Sequence, residues 1–199
     1  ESPNLITLNL QNNQLNSFSE LYSQHWKNIR VINVNKNKLT CLPSNVGDFD
    51  RLEALKCNQN TIAILPTSIG KCKHLQMLDI GENSILSLPV ELENNQNLKT
   101  LNVSKNGLTR IDGNLLKALG TSGLRNLYCY QNKINVLPPS IGHIGTLQIL
   151  SISNNKLTNL PDEIGGLENL IELYIGGKFT FDVNFHHAYI YLINILFLV

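Results

Sequence analysis

The chain has 199 residues, with 16 Lys and Arg against 15 Asp and Glu for a formal charge of +1; 42% of it is apolar and 16% charged. The balanced charge excludes the basic footprint of a nucleic-acid binder and a polybasic membrane-surface mode. The apolar content excludes a disordered chain. Two counts stand out, 34 Leu and 28 Asn, and asparagine at about one residue in seven is far above ordinary usage.

One pattern recurs along the chain. Residues Leu5–Leu15 read L-x-x-L-x-L-x-x-N-x-L, and the pattern returns at Ile29–Leu39, Leu52–Ile62, Leu75–Ile85, Leu98–Leu108, Leu124–Ile134 and Leu147–Leu157. An eighth copy begins at Leu170 and fails after Ile175. The motif asparagines are Asn13, Asn37, Asn60, Asn83, Asn106, Asn132 and Asn155, spaced by 24, 23, 23, 23, 26 and 23 residues. Such a period marks stacked units, none of which buries its apolar face alone. In each copy the last two apolar positions flank a polar one, the period-two mark of a strand with one buried face. The motif asparagine follows where the chain leaves the strand. Its amide carries two donors and an acceptor, so stacked copies predict an asparagine ladder that satisfies the turns.

The second half of each unit is patterned too. Leu42-Pro43-Ser44-Asn45-Val46-Gly47 recurs from Leu65 to Gly70, from Leu137 to Gly142 and from Leu160 to Gly165, while Leu88-Pro89-Val90-Glu91-Leu92 keeps the Leu-Pro without the glycine. This leg predicts a short helix or 3₁₀ turn, with proline at its first position and glycine limiting its length. The fifth unit, Ile111 to Gly120, lacks the proline and is three residues longer, which predicts a fuller helix ending near Gly120.

On these motifs the chain resembles the leucine-rich repeat family over residues 4 to about 176. The L-P-x-x-I-G leg is similar to the intracellular Ras-group class found in Ras-suppressor and Scribble-type scaffolds, Roco proteins and plant intracellular Ras-group proteins. The resemblance implies an α/β fold: a right-handed solenoid, or horseshoe, with a concave parallel sheet and short helices or 3₁₀ turns on the convex side. It implies a protein-binding role within a larger signalling protein, with a small Ras-family GTPase as the suggested partner class. It carries over no catalytic residue. The paired-cysteine caps of extracellular relatives are absent.

The strand residues beside the inward apolar positions face the concave side. The central column reads Asn9, Asn33, Lys56, Asp79, Asn102, Tyr128, Ser151, Tyr174, and the next reads Gln11, Asn35, Asn58, Gly81, Ser104, Tyr130, Ser153, Gly176. With strands about 4.8 Å apart, Tyr128 and Tyr174 stand about 10 Å from each other, with Tyr130 beside them. Exposed tyrosines are common interface anchors. Lys56, Asp79, Glu82, Asn102 and Lys105 form a mixed-charge patch suited to a polar partner. A second reading stands beside this one: tyrosine is a good strand former and covers small neighbours such as Ser151 and Ser153 without binding anything. The face holds Arg30, Lys36, Lys56, Lys99, Lys105 and Arg125 against Glu53, Asp79, Glu82 and Glu172, which gives no basic stripe for nucleic acid.

Little in the sequence points to chemistry. Gly177-Lys178-Phe179 lacks the Ser or Thr of a phosphate loop, and Ser153-Asn154-Asn155-Lys156 is an S-x-x-K without companion motifs. The histidines His25, His74 and His143 lie singly in separate legs, and His186-His187 alone is a weak metal signal. No enzyme activity, metal or cofactor is expected. The four cysteines, Cys41, Cys57, Cys72 and Cys129, form no C-x-x-C pair and point to a reducing, cytoplasmic setting. Cys57 and Cys129 fall on inward slots, whereas Cys72, between Lys71 and Lys73, is the candidate reactive thiol because nearby cations lower a thiol pKa.

The chain opens Glu1-Ser2-Pro3, without a signal-like segment, and reads as a cut from a longer protein. The division expected is an array of about seven and a half coils over 1–176 and an aberrant apolar tail over 177–199. Three readings of the tail stay open: a cap on the last coil, a gene-model artefact translated from AT-rich DNA, or a truncated membrane helix. Its apolar run Ala188–Val199 has 12 residues, short of the 18 or so that span a bilayer. Three functions are kept: a scaffold or adaptor module, a regulatory or localising domain of a multidomain kinase or GTPase, and a fragment of a cell-surface recognition receptor.

Overall fold

A computed structural model describes residues 4–18 and 26–176. The tail 177–199, with its histidine pair, and His25 lie outside the described residues. Eight three-residue strands follow in chain order: β1 (Thr7–Asn9), β2 (Val31–Asn33), β3 (Ala54–Lys56), β4 (Met77–Asp79), β5 (Thr100–Asn102), β6 (Asn126–Tyr128), β7 (Ile149–Ser151) and β8 (Glu172–Tyr174). All pair parallel with their sequence neighbours in one open sheet ordered β1 to β8. Each middle residue pairs with the next, from Leu8 and Ile32 through Leu55, Leu78, Leu101 and Leu127 to Leu150 and Leu173. This is an α/β leucine-rich repeat solenoid.

The burial follows the sequence pattern. In a middle coil Leu52, Leu55 and Cys57 are at 0–1% exposure, three inward residues from the L-x-x-L-x-L stretch. Among the described residues the outer coils have a neighbour on one side only, and Leu8 and Leu173 are half-buried. The strands end after three residues because the ladder takes over. Asn60 Nδ2 donates to Cys57 O and, one coil back, to Val34 O, both at 3.0 Å, while its Oδ1 accepts from Leu39 N at 2.9 Å. Asn37, Asn83, Asn106, Asn132 and Asn155 repeat this, and Asn13, in the first coil, bonds its own turn at Leu10 O and Gln11 O.

The return legs differ from expectation in detail. The 3₁₀ segments are Val46–Asp48, Thr67–Lys71, Val90–Asn94, Pro139–His143 and Asp162–Gly166. Pro66, Pro89, Pro138 and Pro161 sit one residue before them, with ψ of 141–148°, and only Pro139 lies at a first helical position. The proline turns the extended leucine path into the leg, and its carbonyl accepts the first 3₁₀ bond, as in Ile69 N to Pro66 O at 3.1 Å. Glycine does not stop the helix. A Cβ on Gly70 would stand 2.3 Å from Glu91 O in the next coil, and one on Gly142 would stand 2.2 Å from Glu163 O. Glycine there lets neighbouring legs touch backbone to backbone.

The fifth coil holds the fuller helix, α1 (Gly113–Ser122), capped by Asp112, whose carboxylate accepts from Asn114 N and Leu115 N. It ends beyond Gly120: Gly123 takes the left-handed conformation at φ 74° and closes the helix on Gly120 O and Leu119 O. This is a C-terminal glycine cap, while Gly120 is a packing glycine 2.7 Å, from a Cβ, to His143 O.

Candidate functional site on the sheet face

Each strand turns its first and third residues outward, and in-register pairing makes them columns. The third residues run Asn9, Asn33, Lys56, Asp79, Asn102, Tyr128, Ser151, Tyr174, and the first residues Thr7, Val31, Ala54, Met77, Thr100, Asn126, Ile149, Glu172. The central column read from the sequence, Asn9 to Tyr174, is the third-residue column of the structure.

The middle of the face is a closed polar network. Asp79 Oδ1 accepts from Asn102 Nδ2 at 2.9 Å, Gly81 N at 3.3 Å and Asn58 Nδ2 at 3.4 Å. Asn102 Oδ1 in turn accepts from Ser104 Oγ at 2.6 Å and Ser104 N at 3.0 Å. Gly81 makes room for this: a Cβ there would meet Asn58 Nδ2 at 2.7 Å and Asn102 Nδ2 at 3.0 Å. Lys56 pairs in register with Asp79, yet forms no ion pair with it.

Glu82 and Lys105, expected in the same patch, are turn residues. Each precedes a ladder asparagine, with φ of 50° and 51°. They form a separate pair at 3.3 Å. Gln59 Nε2 donates to Glu82 at 3.1 Å; this bond, and then the Lys105 ammonium, hold the Glu82 carboxyl below its ordinary range. Two other bases are engaged: Arg30 pairs with Glu53 at 2.6 Å, and Lys99 Nζ donates to Ser122 O at the end of α1.

The C-terminal end of the face is different. Register places Ser151 between Tyr128 and Tyr174, and Ser151 is buried beneath its neighbours. Tyr174 is 51% exposed, and Tyr128 and Tyr130 are half-buried. The Tyr174 hydroxyl donates to Glu172 Oε2 at 2.8 Å. That bond and the carboxylate's charge raise the Tyr174 pKa, while burial and the same carboxylate raise that of Tyr128. Glu172 thus bonds Tyr174 and acts on Tyr128 through its charge alone. Sequence reasoning placed it on the face but not in the cluster; the signal was its i, i+2 spacing from Tyr174, which puts both on one side of a strand.

The cysteines require one correction. Cys72 is buried, at 0% exposure, and its thiol is pushed up to about 12 by burial, with Asp50 and Asp48 adding to the effect against Lys73. The flanking lysines do not activate it, because its sulfur points into the core, where Val46 O accepts from it. Cys57 and Cys129 are buried as expected, and burial raises both. Cys41 is exposed.

Away from the sheet, a groove of about 210 Å³ lies where the fourth leg meets the start of α1, walled by Pro89, Val90, Arg110 and Leu115. It is smaller than the usual small-molecule pocket. Among the described residues no group of three or more His, Cys, Asp or Glu could hold a metal ion, and no helix is long and apolar enough to cross a membrane.

Comparison with known proteins agrees with this geometry. The family model described as Leucine Rich Repeat matches residues 146–167. No curated protein matches the sequence. Among solved structures, an LRR protein of Leptospira interrogans is 28% identical with a TM-score of 0.72, over 87% of this chain and 49% of that one. A TDR receptor is 26% identical with a TM-score of 0.70, over 87% of this chain and 35% of the receptor. The chain thus spans about half of the first relative and about a third of the second.

Proposed function

The chain belongs to the leucine-rich repeat family, and from that premise we propose that it is a protein-interaction module, the scaffold or adaptor part of a larger signalling protein in the cytoplasm. It presents the concave sheet to a protein partner with little change of shape. The observation that carries this reading is the tyrosine cluster: Tyr128, Tyr130 and Tyr174 stand on a sheet held rigid by a ladder whose amides bridge successive coils. Tyrosine supplies large, rigid contact area with a polar tip. Lys56, Asp79, Glu82, Asn102 and Lys105 are a polar flank outside the main contact, because Asp79, Asn102 and Glu82 are already hydrogen-bonded. The L-P-x-x-I-G legs favour a small Ras-family GTPase as the partner, and residues 1–176 are the binding array, with 177–199 as a separate tail.

Two further readings have support of their own. The share of those solved structures that the chain spans suits a regulatory or localising part of a larger protein, for which the motif resemblance suggests a multidomain kinase or GTPase. The likeness to a TDR receptor suits a fragment of a recognition receptor. The module reading is tested by replacing Tyr128 and Tyr130 together with alanine and comparing partner capture with the unaltered chain. Loss of capture with unchanged thermal stability supports it; unchanged capture with unchanged stability contradicts it.

A further inference from the structure

We infer that the C-terminal end of the sheet face receives a cationic side chain, an arginine above all, from an extended segment of the partner. The inference rests on the sheet-face reading and adds the chemistry of the contact.

The charges of the face are spent unevenly. Glu53 is neutralised by Arg30 and Glu82 by Lys105. Asp79 is half-buried under three N–H donors, with Lys56 beside it in register. Glu172 is exposed, and among the described residues its carboxylate is met only by the Tyr174 hydroxyl on Oε2. Among the described residues no ion pair joins it to a base. From β7 onward the outward positions are Ile149, Ser151, Ser153, Glu172, Tyr174 and Gly176, which hold one acid and no base. A carboxylate with an open oxygen therefore stands beside the exposed Tyr174 phenol, at the end of the face that also carries Tyr128.

That arrangement complements a guanidinium. Arginine pairs with a carboxylate through a planar fork of donors and stacks on aromatic faces. Its attraction to an aromatic ring strengthens as water is excluded. The hydrogen bond from Tyr174 fixes the carboxylate rotamer, so little side-chain freedom is left to lose on binding. An acidic segment would meet Glu172 with like charge and is disfavoured.

The test uses the full chain and three pentapeptides, Ac-Gly-Leu-Arg-Leu-Gly-NH2 and its citrulline and lysine counterparts, followed by backbone amide NMR shifts. The arginine peptide is expected to shift the amides of Ser151, Ser153, Glu172 and Tyr174, and the neutral citrulline peptide to need roughly fivefold more peptide for the same shift. Lysine is expected to fall between. Glu172→Gln, which breaks no ion pair, should erase the difference between arginine and citrulline while leaving the spectrum folded. Equal binding of arginine and citrulline peptides, shifts centred on Asp79 or Glu82, or no shift at all would overturn the inference. If the peptides fail but partner capture still depends on Tyr128 and Tyr130, the cation falls and the sheet-face reading stands. If capture is indifferent to those tyrosines, the sheet-face reading falls separately.

Discussion

The middle of the sheet and its C-terminal end share one scaffold and differ in what their side chains are free to do. Around Asp79 the amides of Asn58 and Asn102 already meet a carboxylate, and Ser104 meets Asn102. A partner docking there exchanges existing hydrogen bonds for new ones, so its net gain per bond is small. Around Tyr174 that ring and the Glu172 carboxylate are exposed and joined by one hydrogen bond, with Tyr128 and Tyr130 half-buried beside them. Hydrogen-bonding capacity alone does not mark a binding surface; the part of it not already consumed does.

If the two regions share a scaffold, removing a ladder amide beneath either should cost the same. Asn83→Ala under the middle and Asn132→Ala under the tyrosine end each strip hydrogen bonds from partly or fully buried carbonyls and one N–H. Each is expected to destabilise by about 2–4 kcal/mol in urea unfolding. Values differing by more than about 2 kcal/mol would mean that the ends are not held alike.

A smaller effect separates the regions. Gly81→Ala forces its Cβ against the amides of Asn58 and Asn102. Those side chains can give way, so a loss of about 1–2 kcal/mol is expected, against a near-neutral Ser153→Ala. Glu172→Gln should be neutral for folding too, but it should bring the Tyr174 phenol, followed by its ultraviolet ionisation, back toward its ordinary pKa of about 10. Since the folded state raises both phenols, whatever stability this lends is present below pH 10 and lost as pH rises through the folded values.

The smallest effect belongs to the Glu82–Lys105 pair. Both side chains are about a third or more exposed, so Lys105→Ala should cost no more than about 0.5 kcal/mol and less in high salt. Because the Glu82 carboxyl is held low, the contribution is present above about pH 4.3 and lost as pH falls below it.

The fold was legible because every coil votes on the same positions. Leu55, Leu78 and Leu101 recur at one place in the unit, and their pairing in register follows directly. The ladder was legible for the same reason. What escaped was set between coils rather than within one. Asn12, Lys36, Gln59, Glu82, Lys105, Gln131 and Asn154 all take positive φ without a glycine among them. In each case the following asparagine bonds carbonyls of its own turn, so Glu82 and Lys105 stand on turns, where they pair with each other. The glycine and proline roles were misread because helix capping is a local rule, whereas Gly70 answers to Glu91 in the next coil. Cys72 was judged by its lysine neighbours in sequence. The better signal was the three-residue period of a 3₁₀ turn, which puts Cys72 over the buried Ile69. A thiol reagent at pH 8 should accordingly react with Cys41 in the native chain, and with all four cysteines only after unfolding.

The central claim, that a partner meets the tyrosine end and not the saturated middle, is tested most directly by photo-crosslinking. A photoreactive phenylalanine analogue is placed in turn at Tyr174 and at Asp79 in the full chain, and crosslinked products are compared in the presence of partner. The account predicts a strong crosslink from position 174 and little or none from position 79. A crosslink from position 79 with none from 174 would contradict it.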